Sequence, residues 1–185
     1  MRPVSCALSV LLMSSAAAYA VENLTLLVQF EEKPSPQSVQ VMKDELQTLM
    51  KTVAVDWKLL NELGPGESFP DLVVVKFKGS CQVHRSEPIA PFLIDERGPL
   101  AFTHTADGQV LPFSEVECDR LRRTLKPLTR GVSQQTADIL LGRALGRVLA
   151  HELYHVRSNT TKHEKEGVNR RGLTLDQLAG KRSLD

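Results

Sequence analysis

The stretch Ser133–Arg157, SQQTADILLGRALGRVLAHELYHVR, contains no proline and carries apolar residues at Ile139, Leu140, Ala144, Leu145, Val148 and Leu149. Residues recurring at three- and four-residue steps line one face of an α-helix, so one long amphipathic helix is expected, with Ser133 as its N-cap. Gly142 and Gly146 fall four apart on one face. They weaken the helix in isolation but let another element approach its backbone closely. This helix is the piece around which the rest of the chain has to pack.

Upstream of it the sequence alternates between strand and helix periods. Leu24, Leu26, Val28 and Phe30 alternate with Thr25, Leu27 and Gln29, as in a strand. Pro34-Ser35-Pro36 ends it and offers Ser35 as an N-cap with Pro36 at the first helical position. Val39, Met42, Leu46, Leu49 and Val53 then share a helical face, with Lys43, Asp44, Glu45 and Gln47 elsewhere. Val53, Val55, Trp57 and Leu59 alternate again, which completes a βαβ unit with an expected right-handed crossover. Gly64-Pro65-Gly66 marks a turn, and Asp71–Phe77 (DLVVVKF) reads as a strand covered on both faces at the sheet's centre. Ser80–Pro99 is irregular and reads as a loop. Leu100–Thr105 and Gln109–Phe113 flank Ala106-Asp107-Gly108, a hairpin signal, and Pro112 favours an edge position for its strand. The basic residues Arg120, Arg122, Arg123, Lys126 and Arg130 read as a solvated face. Downstream, Thr174 with Gln177 forms a capping box opening a short helix. No repeat or linker interrupts the pattern. The expected fold class is α+β: one domain with a mixed β-sheet, a βαβ start and a long active-site helix.

Composition bounds the function. The chain has 185 residues, 42% hydrophobic and 5% aromatic, with a formal net charge of +1. A globular domain is implied, while disorder, a nucleic-acid-binding surface and single-strand stacking platforms are disfavoured. Residues 1–20 read as a signal peptide: Arg2 is a minimal n-region, Cys6–Met13 the apolar core and Ala18-Tyr19-Ala20 the cleavage pattern. The mature domain then spans 21–185, secreted or periplasmic, with no stable membrane anchor and no separate prodomain. Losing Arg2 takes the 23 basic residues to 22, equal to the 22 acidic ones. Cys81 and Cys118 remain. They form one disulfide, stay free thiols, one of them able to act as a cysteine switch, or supply a thiolate that caps a metal.

The chemistry concentrates in His151-Glu152-Leu153-Tyr154-His155. Histidines four apart stand one turn above each other, so both imidazoles can reach one Zn²⁺ ion. Glu152 is rotated about 100° away, placed to act as general base rather than as a ligand. The helix should end near Ser158 or Asn159, because Asn tolerates the left-handed conformation that terminates helices. His163 then lies within reach of a reversing loop as third ligand, with Glu164 or Glu166 as alternatives. Three neutral histidines leave a fourth position open, the arrangement of a catalytic zinc site. Tyr154 reads either as core packing or as an oxyanion stabiliser, and His104 either as a cleft residue or as an ordinary strand histidine.

His151–His155, the turn at Asn159 and His163 together resemble the metzincin branch of the zincins, especially small archaemetzincin-like bacterial proteases. The resemblance implies a secreted zinc metallopeptidase acting on a peptide or protein substrate, with His151, His155 and His163 as metal ligands and Glu152 as catalytic acid/base. It also implies that an edge strand of the hairpin binds extended peptide by β-augmentation. The chain departs from the family pattern in two places. Seven residues separate His155 from His163 where the family has five, and no methionine follows Met50, so Gly167-Val168-Asn169 stands where a Met-containing turn would lie. The alternative function is a secreted module that binds zinc or peptide without turnover.

Overall fold

Capping side chains and prolines set the element boundaries in the computed structural model, which describes residues 22–83, 98–181 and 184. Strand β1 (Glu22–Phe30) leads through Pro34 to Ser35, whose hydroxyl accepts from Ser38 N and opens helix α1 (Pro36–Leu49). Strand β2 (Val53–Leu59) and a single 3-10 turn follow, then β3 (Leu72–Lys78), β4 (Ala101–Ala106) and β5 (Gln109–Glu117). Helices α2 (Cys118–Thr129), α3 (Gln134–Arg157) and α4 (Leu175–Ala179) complete the chain. Ser133 caps α3 by accepting from Thr136 N, and Thr174 with Gln177 forms the capping box of α4. The proposed signal peptide and most of the Ser80–Pro99 loop lie outside the described residues.

The strands form one mixed five-stranded sheet in the order β2-β1-β3-β5-β4. β1 runs parallel to β2 and β3, β3 parallel to β5, and β4 antiparallel to β5. The βαβ start and the central position of β3 match the sequence expectation. β3 is nevertheless not covered on both faces: Val73, Val75 and Phe77 are buried, whereas Leu72, Val74, Lys76 and Lys78 are half-exposed. Leu24, Leu26 and Val28 share the buried face and join Met42 and Leu46 of α1, Leu121 and Leu125 of α2, and Leu141, Leu145 and Leu149 of α3 in one core cluster. The opposite, more polar face pairs Lys76 with Glu31 and Lys78 with Glu115 and Glu117, around the row Leu27, Val74 and Phe113.

Pro112 does not sit in an edge strand, as β4 rather than β5 is outermost. It is tolerated because pairing of β5 with β3 starts only at Phe113, and the ladder with β4 is interrupted between Thr103 and Thr105. The solvated basic face is also corrected. Residues 118–129 are a helix that buries Leu121 and Leu125, and only Lys126 and Arg130 of the basic group are exposed. Arg120 reaches the Pro99 carbonyl and Arg122 pairs with Asp119.

Gly142 and Gly146 do provide a close approach. A Cβ on Gly142 would lie 2.5 Å from the Ser38 carbonyl oxygen, and one on Gly146 would lie 2.8 Å from that of Met42. Beside this contact the buried Arg147 donates to Glu45 of α1 at 2.7 Å and to the Gln177 carbonyl of α4 at 2.7 Å. Cys81, just past β3, is bonded to Cys118 at the start of α2. Both cysteines are fully buried, so the free thiols, the metal-capping thiolate and a cysteine switch are excluded for this state. Among the described residues no helix is long and apolar enough to cross a membrane.

Candidate metal centre

The last two turns of α3 place His151 above His155, one helical turn apart. His151 Nδ1 lies 2.9 Å from the Val168 carbonyl oxygen, and His155 Nδ1 lies 2.7 Å from that of Thr160. A carbonyl oxygen only accepts, so each Nδ1 donates, and in the neutral imidazole Nε2 then keeps its lone pair. Those two Nε2 atoms face each other at 3.0 Å. Two unprotonated acceptors at that distance repel unless a cation or a proton lies between them.

The chain after α3 returns the third histidine to this point. Asn159 adopts φ +43° and its N–H donates to the Val156 carbonyl, which ends the helix as the sequence indicated. Thr160 N then donates to the His155 carbonyl, turning the chain back beneath the ring it tethers. Asn159 Oδ1 also accepts from Val110 N, tying the turn to β5. His163 arrives with its ring centroid 5.1 Å from that of His151 and 4.9 Å from that of His155. One nitrogen from each of the three rings lies within 4.8 Å of the others. Tetrahedral zinc with bonds of about 2.0–2.1 Å holds its nitrogen ligands about 3.3 Å apart, so this donor set fits that ion after small movements of the exposed His163. The His163 imidazole is held below its usual range, by burial first and then by the neighbouring His151, His155 and Arg171, a direction that favours the neutral form a ligand requires.

Glu152 lines the same cleft as the histidines and reaches Thr103 on β4. It is 4% exposed, and its Oε2 accepts from Thr103 Oγ1 at 2.8 Å. The Thr103 hydroxyl in turn lies 2.8 Å from that of the fully buried Ser114 on β5. Since Thr103 donates to the carboxylate, Ser114 donates to Thr103, and the two strands orient the acid. Burial raises the Glu152 pKa above the usual carboxylate range, while the Thr103 hydrogen bond and His155 oppose the rise. Thr103 and Ser114 went unnoticed in the sequence, where nothing distinguishes them from other strand hydroxyls.

The alternative readings separate cleanly. Glu164 accepts from the Tyr154 hydroxyl at 3.0 Å and Glu166 is exposed, and neither belongs to the three-histidine group. Tyr154 is half-buried and occupies neither the core cluster nor the cleft beside the histidines. His104 lies on the polar face of the sheet, stacked on Phe113 and 3.6 Å from Glu115, rather than facing the cleft. Gly167-Val168-Asn169 supports the His151 ring through the Val168 carbonyl.

An open cleft of about 460 Å³ runs over the three histidines and Glu152. Residues of the outermost strand β4, the segment Arg170–Leu173 and Leu178 of α4 line it as well. Comparison of the chain with protein-family models, curated proteins and solved structures gave no match.

Proposed function

We propose that the protein is an exported zinc-dependent endopeptidase of zincin, metzincin-like fold. The observation that carries this reading is the pair of Nε2 lone pairs 3.0 Å apart, each fixed by a backbone carbonyl on the far side of its ring, with His163 closing the set. Carbonyl-tethered histidines are the usual outer-shell device of zinc sites, because the tether fixes the tautomer and aims the ring. His151, His155 and His163 would hold the ion, which when bound supplies a Lewis acid that polarises a carbonyl and lowers the pKa of a water.

The chain's own groups do the rest. Glu152, buried and aligned by Thr103, takes the proton from the attacking water and returns it to the leaving amine. The outer edge of β4 has no strand partner among the described residues and offers its backbone to an extended peptide laid along the cleft. The buried disulfide agrees with an oxidising compartment, and so supports export.

The alternative is a module that binds zinc or peptide without turnover. Elemental analysis of the purified protein should find about one zinc per chain, strongly weakened in His163→Ala. A folded wild type without zinc removes the reading. Glu152→Ala should keep zinc while losing about 100-fold or more in hydrolysis of a peptide library, the usual contribution of a general base. Equal hydrolysis by the two proteins would reject the role of Glu152, and zinc binding without hydrolysis by either leaves the binding module.

A further inference from the structure

We infer that Arg170 and Arg171 make the cleft select a peptide bearing a carboxylate beside the bond presented to the histidines, an inference that rests on the peptidase reading. Both residues line the cleft, Arg170 half-buried and Arg171 exposed. Among the described residues neither guanidinium has a hydrogen-bond or ion-pair partner, whereas Arg143, Arg147 and Arg157 are all paired. The one carboxylate in the cleft wall, Glu152, is engaged by Thr103.

A guanidinium stays charged at every physiological pH, and a half-buried one without a counter-ion is costly unless a ligand supplies the anion. Its planar fork matches a carboxylate through two parallel hydrogen bonds. The chain as a whole is nearly neutral, so no overall positive charge draws anions to it. Nor is it on a freely swinging segment. Glu164 N donates to the Asn169 carbonyl, Glu164 and Arg170 form a β-bridge, and the Val168 carbonyl holds the His151 ring. The arginines therefore keep a fixed relation to the three histidines. Leu100, Leu173 and Leu178 make part of the remaining wall apolar, so the carboxylate recognised belongs to a peptide with hydrophobic neighbours.

Two sources of that carboxylate are distinguishable: an Asp or Glu side chain, or the free C-terminus. The test uses the full chain as the zinc-loaded Glu152→Gln protein, which binds without cutting, and fluorescein-labelled peptides in matched sets. One member carries Asp or Glu with an amidated C-terminus, one carries Asn or Gln with the same amide, and one carries Asn or Gln with a free C-terminus. Binding of a carboxylate member is expected to be about tenfold tighter than that of the neutral one. Which member gains identifies the source. The preference should shrink as salt rises from about 0.05 to about 0.5 M and fall toward unity when Arg170→Gln and Arg171→Gln are added. Equal affinities across each set overturn the inference, as does a preference that survives the double substitution. If the double variant does not fold, a salt-independent preference in the parent overturns it and a salt-sensitive one upholds it. Wild-type protein that cuts all members alike keeps the peptidase and rejects the selectivity; carboxylate-dependent binding without cutting does the reverse.

Discussion

The hydroxyl of Thr103 reaches across from β4 to Glu152 on α3, with Ser114 behind it, so a chain of two hydroxyls fixes the direction of one carboxylate. Thr103→Val keeps the shape but deletes the donor, leaving Ser114 without its acceptor as well. A hydrogen bond to a charged group is worth about 1.5–3 kcal/mol, so kcat for a peptide substrate is expected to fall about tenfold or more while zinc content stays at the wild-type level. Thr103→Ser should restore most of the rate, which a purely steric role for the residue would not produce. At this scale the sequence was informative where residue type and spacing coincide: His151 and His155 stand at i and i+4, and Asn159 was readable as a left-handed turn. It was silent on Thr103, which meets Glu152 from 49 positions away, and on the Thr160 and Val168 carbonyls, since a backbone oxygen leaves no mark in residue type.

Between elements, the tightest contact is that of α1 with α3, set by glycines that remove the side chains from the crossing. Gly142→Ala would gain about 1 kcal/mol in helix propensity, yet its methyl group would meet the Ser38 carbonyl oxygen at 2.5 Å and Val41 Cβ at 2.7 Å. Overpacking costs about 1–3 kcal/mol, and a backbone oxygen cannot rotate aside, so the net expectation is a loss of up to about 2 kcal/mol in urea unfolding. A variant as stable as wild type would show that the helices can slide apart. The periodicities of α1, α3 and the βαβ start were legible because each buries one face. Helix α2 was not, as its apolar positions Leu121, Leu125 and Leu128 are outnumbered by basic neighbours and Pro127 lies near its end. Glu45 looked like a solvent-side residue of α1, but its partners Arg143 and Arg147 lie on a helix far along the chain, so only the folded crossing shows its role.

Across the whole molecule, the Cys81–Cys118 bond joins the chain just beyond β3 to the residue directly after β5, and those two strands are neighbours. With the cysteines 37 positions apart in sequence, chain-entropy arguments assign it about 3–4 kcal/mol. Cys81→Ser with Cys118→Ser should therefore lower the unfolding free energy by about that amount, and unchanged stability would mean that the denatured chain is already restricted. α3 has a different global consequence. Its middle turns are locked in the core by Leu141, Leu145 and Leu149, and the histidines sit on a continuation of the same rod, with the His151 and His155 rings already tethered. On the proposed zinc reading, coordination energy would not be spent on organising the polypeptide, unlike in zinc fingers, whose folding free energy is the binding free energy. Stripping the ion with a chelator should leave the far-UV circular dichroism intact and lower only the melting temperature, by the mass-action linkage of a ligand to a preformed receptor. A chain that uncoils on chelation would instead mean that the metal builds the cleft, and that the rigidity of α3 stops short of its last turn.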